Sequence, residues 1–221
     1  MIEFSTPKPI EQLQTVVETV AVNMMRPVSR QMDENEHEIP WAFINFMHTA
    51  IKSMGGTSFA VEEKDGQKKD ENKDKHPPIG YQRLAYLVEM LSWGDAGMYL
   101  CIPGGLLGSA AVAAAGTPEQ KKRFLSRFMG DKPVFDGMAM TEPQAGSDTS
   151  AIRSTAVLDE ESNEWVLNGE KIFVTAGQKA LEESDGFVVV WATIDPEAGR
   201  AGMRSFVIEA ETPGCKVTKL E

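Results

Sequence analysis

Residues 134–148 read Val134-Phe135-Asp136-Gly137-Met138-Ala139-Met140-Thr141-Glu142-Pro143-Gln144-Ala145-Gly146-Ser147-Asp148. The run from Val134 to Met140 has the length and composition of a strand, and it stops in a polar turn. Pro143 lacks the N–H that a continuing ladder needs, and Gly146 has no side chain to keep a ligand away from the backbone. Thr141 and Ser147 put hydroxyls on either side of the turn. Such a strand exit can cradle a flat polar ring at one end and a phosphate at the other.

The change of period at Pro133 decides the fold class. Upstream, the spacing is helical. Ile10, Leu13, Val16, Val17, Val20 and Met24 form one stripe. Pro40-Trp41 opens a second apolar segment that runs through Phe43, Ile44, Phe46, Met47 and Ile51 and stops at Gly55-Gly56. A third spans Ile79 to Trp93, with Leu84, Leu87, Val88 and Leu91 on one side. A fourth, Leu106 to Ala115, is small and apolar all round and is expected to be buried on all sides. Thr117-Pro118-Glu119-Gln120 opens a fifth, with a hydroxyl at the cap, proline at the first helical position and Gln120 able to reach back. Residues 62–75 carry mixed charge and almost nothing apolar, which predicts a solvated, mobile loop.

Downstream the runs are short. Val134–Met140, Ser154–Leu158, Trp165–Leu167, Ile172–Thr175, Phe187–Thr193, Ser205–Ile208 and Lys216–Leu220 read as strands, and Asn168-Gly169 as a two-residue hairpin turn. The expected architecture is α+β: an N-terminal all-helical domain over residues 1–133, then an antiparallel β-sandwich or barrel over residues 134–221.

Composition narrows the function. The chain has 221 residues, 42% hydrophobic, and a net charge of −11, which removes the electrostatic footprint of a nucleic-acid binder. Neither the two cysteines, Cys101 and Cys215, nor the three histidines stand at metal-ligand spacing, so no metal site is expected. No apolar run has the length of a membrane span, and the N-terminus lacks a secretory pattern, so the expected location is the cytoplasm.

Three elements in order resemble the acyl-CoA dehydrogenase family. Thr141-Glu142-Pro143, one variable residue, then Ala145-Gly146-Ser147-Asp148 is similar to the family's first signature. Asn168-Gly169-Glu170-Lys171-Ile172-Phe173-Val174-Thr175 is similar to its hairpin. Gly116-Thr117-Pro118-Glu119-Gln120-Lys121 is similar to the start of the helix before its middle domain. The resemblance covers essentially the whole chain, with residues 62–75 as a local insertion, and it identifies residues 134–221 as a flavin-binding middle domain.

The resemblance implies FAD as cofactor. Met140 and Thr141 would meet the pyrimidine side of the flavin, with Met138 also in the cofactor site, and Gly146 and Ser147 the pyrophosphate. Phe173, Val174 and Thr175 would lie beside the ring, with Thr175 near N5. Met138 departs from the family, because several relatives carry an aromatic there. Ser147 and the approach around Tyr99, Leu100 and Pro103 would line the acyl-CoA channel. The implied activity is α,β-dehydrogenation of an acyl-CoA thioester, as in fatty-acid metabolism. A carboxylate takes the α-proton while the β-hydride moves to flavin N5, and an electron-transfer flavoprotein accepts the electrons. Relatives carry the base on a C-terminal helical domain, which also builds a homo-oligomeric dimer or tetramer. No residue here is assigned as the base, and the chain is expected to be truncated before it. The alternatives are a non-catalytic flavin- or partner-binding module and a same-fold oxidase, nitroalkane oxidase-like enzyme or enoyl-CoA reductase.

Overall fold

A computed structural model describes residues 6, 8–53, 80–104 and 107–218. The charged loop at 62–75, Gly55-Gly56, Ile79, Leu106 and residues 219–221 lie outside the described residues. The contacts divide the chain into two compact units, which part at Ile102 and Pro103.

The first unit is helical. Helix α1 (Lys8–Val20) continues through a π-helical turn (Ala21–Met25) into α2 (Arg26–Glu34); α3 spans Trp41–Ser53 and α4 spans Gly80–Leu100. The wide turn widens the helical step, so the buried stripe runs Ile10, Val17, Ala21, Met25. Met24 is only partly buried and Val16 is 64% exposed, a departure from the straight 3.6-residue stripe. Gly94 of α4 explains the crossing. A Cβ there would lie 2.9 Å from both the Ala21 Cβ and the Met25 Sδ, so only glycine lets α4 sit this close. Phe43, Met47 and Ile51 of α3 and Leu87, Leu91 and Met98 of α4 complete the core. Helix α4 extends beyond Trp93 to Leu100, but its backbone is non-helical at Asp95.

The second unit holds α5 (Gly108–Ala115), α6 (Pro118–Leu125) and a five-stranded sheet: β1 (Asp136–Ala139), β2 (Thr155–Asp159), β3 (Glu164–Asn168), β4 (Phe187–Thr193) and β5 (Met203–Glu209). Helix α5 is buried at Gly108, Ser109 and Val112 but exposed at Ala114 and Ala115, so its all-round apolar sequence does not bring all-round burial. Helix α6 starts as its sequence dictates. The Thr117 hydroxyl accepts from the Gln120 N–H, and the Gln120 side chain accepts from the Thr117 N–H. Phe124 and Phe128 then pack on Phe187, with ring centroids 5.2 and 5.9 Å away. That packing binds α6 into the sheet's own core, which is why the compact units part earlier in the chain than the change of period at Pro133.

Strand β4 is central and its Phe187 is fully buried. It pairs parallel with β1 in the register Asp136↔Phe187 to Ala139↔Val190, antiparallel with β5, and parallel with β2 through Thr155↔Thr193. Only β2–β3 and β4–β5 are antiparallel, so the sheet is mixed rather than antiparallel throughout. The long segment between β1 and β4 makes the parallel pairing possible.

Three strand expectations change. Residues 172–175 form no strand, because Phe173 and Ala176 both stand at φ +57. Lys216–Thr218 is irregular. Asn168-Gly169 closes no hairpin. The turn joining β2 to β3 lies at residues 160–163, with Asn163 at φ +56. Gly169 is needed for a different reason: a Cβ there would lie 2.1 Å from the Ser154 Oγ and 2.8 Å from its Cα. No helix among the described residues is long and apolar enough to cross a membrane.

Candidate functional site

The polar turn after β1 is closed by its own backbone. The Glu142 N–H donates to the Ala145 carbonyl at 2.9 Å, and the Ala145 N–H returns to the Glu142 carbonyl at 3.0 Å. Pro143 suits the turn's first corner, having a fixed φ and no N–H to satisfy. Ala145 is buried beneath the turn, and Gly146, Ser147 and Asp148 leave it exposed.

Glu142 is the hub. Its side chain is 3% exposed. One carboxylate oxygen accepts from the Lys171 ammonium at 2.7 Å, the Ser154 hydroxyl at 2.5 Å and the Ser154 N–H at 2.9 Å. The other accepts from the Arg153 N–H and the Gln144 amide, both at 2.6 Å. Burial alone would raise its pKa. The Lys171 ammonium, the Ser154 hydroxyl and the two backbone N–H groups outweigh burial and bring it from 4.5 down to about 2. Lys171 also donates to the Met140 carbonyl at 3.1 Å, and the Ile172 N–H donates to the Thr141 carbonyl at 2.9 Å. One buried carboxylate thus ties together the end of β1, the approach to β2 and the segment that begins at Lys171. Sequence reasoning set Glu142 aside as part of the turn. Apart from Gln144, its side-chain partners lie 11 to 29 residues away in the chain, and no local period encodes that meeting.

The clamp draws several expected cofactor residues toward one place. Met138, Met140 and Thr141 are half-buried on and after β1. From Lys171 the chain runs back past β1. A Cβ on Gly137 would come 3.1 Å from the Thr175 carbonyl oxygen and 3.3 Å from the Val174 Cγ1. Phe173 sits on this stretch in left-handed backbone and is 71% exposed. An aromatic in that conformation with that exposure departs from ordinary packing on two counts.

Hydrogen bonding divides the site in two. Glu142, Gln144, Lys171 and Ser154 spend their polar groups on one another. Among the described residues, the hydroxyls of Thr141, Ser147 and Thr175 and the N–H groups of Gly146 and Ser147 make no hydrogen bond within the chain. A rigid, self-satisfied clamp thus presents a rim of unspent donors beside an uncovered aromatic ring. This rim fits a flat polar ring system carrying an anionic group.

A second buried carboxylate lies on β1. Asp136 accepts the Ser109 N–H at the start of α5 at 2.6 Å. Burial pushes its pKa up, and hydrogen bonds from Ser109 and Gly108 offset part of that. Its oxygens hold a helix end in place. Tyr99 and Leu100 stand at the end of α4 in the first unit, and Pro103 opens the second; none belongs to the contacts that Glu142 organises. Among the described residues no group of three or more His, Cys, Asp or Glu side chains is placed to hold a metal ion.

Comparisons with known proteins agree with this architecture. Residues 8–131 match the model of the acyl-CoA dehydrogenase N-terminal domain, and residues 137–221 that of the middle domain. Acryloyl-CoA reductase (NADH) of Anaerotignum propionicum is 30% identical over 224 aligned positions, covering 100% of this chain and 51% of that protein. Cyclohex-1-ene-1-carbonyl-CoA dehydrogenase of Geobacter metallireducens is 37% identical over 136 residues, 62% of this chain and 34% of that protein. Among solved structures, one of the electron transferring flavoprotein of Acidaminococcus fermentans superposes with a TM-score of 0.74 at 26% identity, covering 100% of this chain and 52% of that one. The glutaryl-coenzyme A dehydrogenase–glutaryl-CoA complex gives 0.73 at 24% identity, covering 100% and 51%, a likeness of fold. The chain therefore spans about half the length of several of the proteins it matches. Two domain models in sequence, together spanning nearly every residue, show that this chain belongs to the acyl-CoA dehydrogenase family.

Proposed function

We propose that this chain supplies the flavin-binding part of an FAD-dependent acyl-CoA dehydrogenase that oxidises an acyl-CoA thioester between its α and β carbons. The observation that carries this reading is the unspent rim of Thr141, Gly146, Ser147 and Thr175 beside exposed Phe173, held on the Glu142–Lys171 clamp. Bound FAD would supply a planar two-electron acceptor for the β-hydride. Met140 and Thr141 would hold the pyrimidine side, with Met138 also in the flavin site, and the N–H groups of Gly146 and Ser147 would meet the pyrophosphate. Phe173, Val174 and Thr175 would flank the ring. Because the clamp fixes both stretches to one carboxylate, these groups are oriented before any ligand arrives.

Tyr99, Leu100, Pro103 and Ser147 would line the acyl-CoA channel. Residues 1–133 then act as the helical domain and residues 134–221 as the flavin-binding domain. The base is not Glu142. A carboxylate with a pKa of about 2 and both oxygens already accepting hydrogen bonds is a poor proton acceptor. Asp136 holds the start of α5. We place the base in the further length that relatives possess, together with the contacts of a homo-oligomer. An electron-transfer flavoprotein would take the electrons, and the location would be the cytoplasm.

Anaerobic spectroscopy of the full-length protein tests this. FAD should remain bound after desalting, and saturated acyl-CoA thioesters should bleach it. Failure to bind FAD would refute the reading. The 30% identity to an acryloyl-CoA reductase across the whole chain favours a second reading, the reverse reaction. In that case chemically reduced protein should be reoxidised by an enoyl-CoA far faster than an acyl-CoA bleaches the oxidised form.

A further inference from the structure

Asn168 is the one asparagine in the chain that precedes a glycine. It is exposed at the end of β3, and among the described residues its side-chain amide makes no hydrogen bond within the chain. The β2–β3 ladder ends at the Thr155↔Asn168 pair, and Gly169 lies just past it. Opening that last pair frees both residues without disturbing the sheet. No Cβ shields the Gly169 nitrogen from the neighbouring side chain, which makes this pair chemically labile. The fold nevertheless requires the glycine. Ser154 is 4% exposed, and a Cβ at residue 169 would run into its Oγ and its Cα. The same Ser154 donates its hydroxyl and its N–H to one oxygen of Glu142. Arg153, beside it, donates its N–H to the other.

We infer that Asn168-Gly169 is a self-modification site, at which spontaneous deamidation loosens the Glu142 clamp. The Gly169 nitrogen attacks the Asn168 Cγ. A new C–N bond closes a five-membered succinimide, the Gly169 N–H proton is lost, and the Cγ–Nδ2 bond breaks to release ammonia. Water then opens the ring. Opening at Cγ leaves an ordinary aspartyl residue. Opening at the main-chain carbonyl leaves an isoaspartyl residue, whose main chain runs through Cβ and Cγ and is one carbon longer. The chemistry needs only water. The contact with Ser154 leaves no slack for that extra atom. Either Gly169 or Ser154 is displaced, and Ser154 holds Glu142. The ordinary aspartyl product keeps the main chain unchanged and exposes its carboxylate to solvent, so it leaves the clamp intact. A glycine fixed by packing thus makes its neighbour the weak point beside the clamp.

The chain supplies its own control. Trypsin cuts after Arg153 and Lys171 and nowhere between, so Asn163 and Asn168 fall on one peptide. Asn163 is exposed too, but Glu164 follows it. The full-length protein is aged at mildly alkaline pH. Peptide fragmentation reads the conversion of each asparagine, and isoaspartyl methyltransferase labelling counts isoaspartate. Asn168 should convert at least about ten-fold faster than Asn163. The deamidated fraction is then isolated by its extra negative charge, and hydrogen exchange is measured at the Arg153 and Ser154 amides. Exchange there should be about ten-fold faster than in fresh protein, as expected for loss of a charge-assisted hydrogen bond from a local opening. Freshly made Asn168→Asp, and Asn168→Ala aged in parallel, should exchange like fresh wild type. Equal conversion of Asn163 and Asn168 would overturn the inference. So would a deamidated fraction without isoaspartate, or one with isoaspartate and unchanged exchange at Ser154. Fast exchange in fresh Asn168→Asp or in aged Asn168→Ala would overturn it as well.

Discussion

Replacing Glu142 by Gln keeps the size of the side chain and removes its charge. The consequence can be worked from the structure in two ways. The carboxyl titrates at about 2 in the fold against 4.5 unperturbed, a difference worth about 3 kcal/mol of stability at neutral pH. Separately, the substitution leaves the Lys171 ammonium, 9% exposed, without its counter-charge. Breaking one side of a buried pair costs about 3–5 kcal/mol. The sign with pH follows from the lowered pKa. The contribution is fully present above the unfolded value and is lost as pH falls through 4.5 toward 2. The gap between wild type and Glu142→Gln should therefore be about 3 kcal/mol at pH 7 and shrink to roughly half of that at pH 3. Urea unfolding followed by Trp165 and Trp191, with Trp41 and Trp93 replaced by Phe, reads the second unit. Adding Lys171→Met removes the stranded charge and should recover at least half of the loss. A gap below about 1 kcal/mol at pH 7, or one that does not narrow on acidification, would refute the assignment of Glu142 as the hub.

Asp136→Asn should behave in the opposite sense. Because burial raises the Asp136 pKa, wild type loses stability relative to the variant as pH rises through the acid range, and at pH 7 the variant should lie within about 1 kcal/mol of wild type or above it; a loss beyond about 2 kcal/mol in the same urea assay would contradict this. Gly169→Ala puts a methyl group into the Ser154 Cα, a backbone atom that cannot swing aside, and should cost about 2–3 kcal/mol by thermal or urea unfolding. Phe173→Gly should separate stability from function. Releasing a left-handed aromatic gains about 1 kcal/mol in the ligand-free protein, while flavin titration should show FAD binding at least about ten-fold weaker.

What could be read from the chain follows from the range of each signal. The Thr117 capping box spans four residues and formed as written. Strand β4 is a continuous apolar run and was found at its expected bounds, Phe187–Thr193. The two-domain-type α+β layout followed from a single change of period at Pro133. Long-range relations did not show. Short strands announce themselves but not their neighbours, so the parallel β1–β4 register was invisible. Asn168-Gly169 carried a genuine glycine requirement, but its cause was the Ser154 backbone rather than a turn. At the site, the local pattern singled out Thr141, Gly146 and Ser147 of the turn, whereas Phe173 and Thr175 entered only through the family resemblance. The Glu142 clamp that holds them depends on residues 2 to 29 positions apart and became visible only in three dimensions.

The parallel pairing of β1 with β4 also sets a timetable for biosynthesis. Asp136 meets Phe187, which emerges from the ribosome 51 residues later. At about 5–20 residues per second, β1 waits roughly 3–10 s for its partner. During that interval its edge is unpaired, and the Phe124–Phe128 surface lacks the Phe187 ring that later fills it. The helical unit waits as well, since Gly94 of α4 follows Ala21 by 73 residues. Its helices close their hydrogen bonds locally, however, and leave no strand edge open meanwhile. Slower elongation or a lower growth temperature acts on this window and on nothing in the folded protein. The yield of soluble second unit should therefore respond to translation speed more strongly than that of the first.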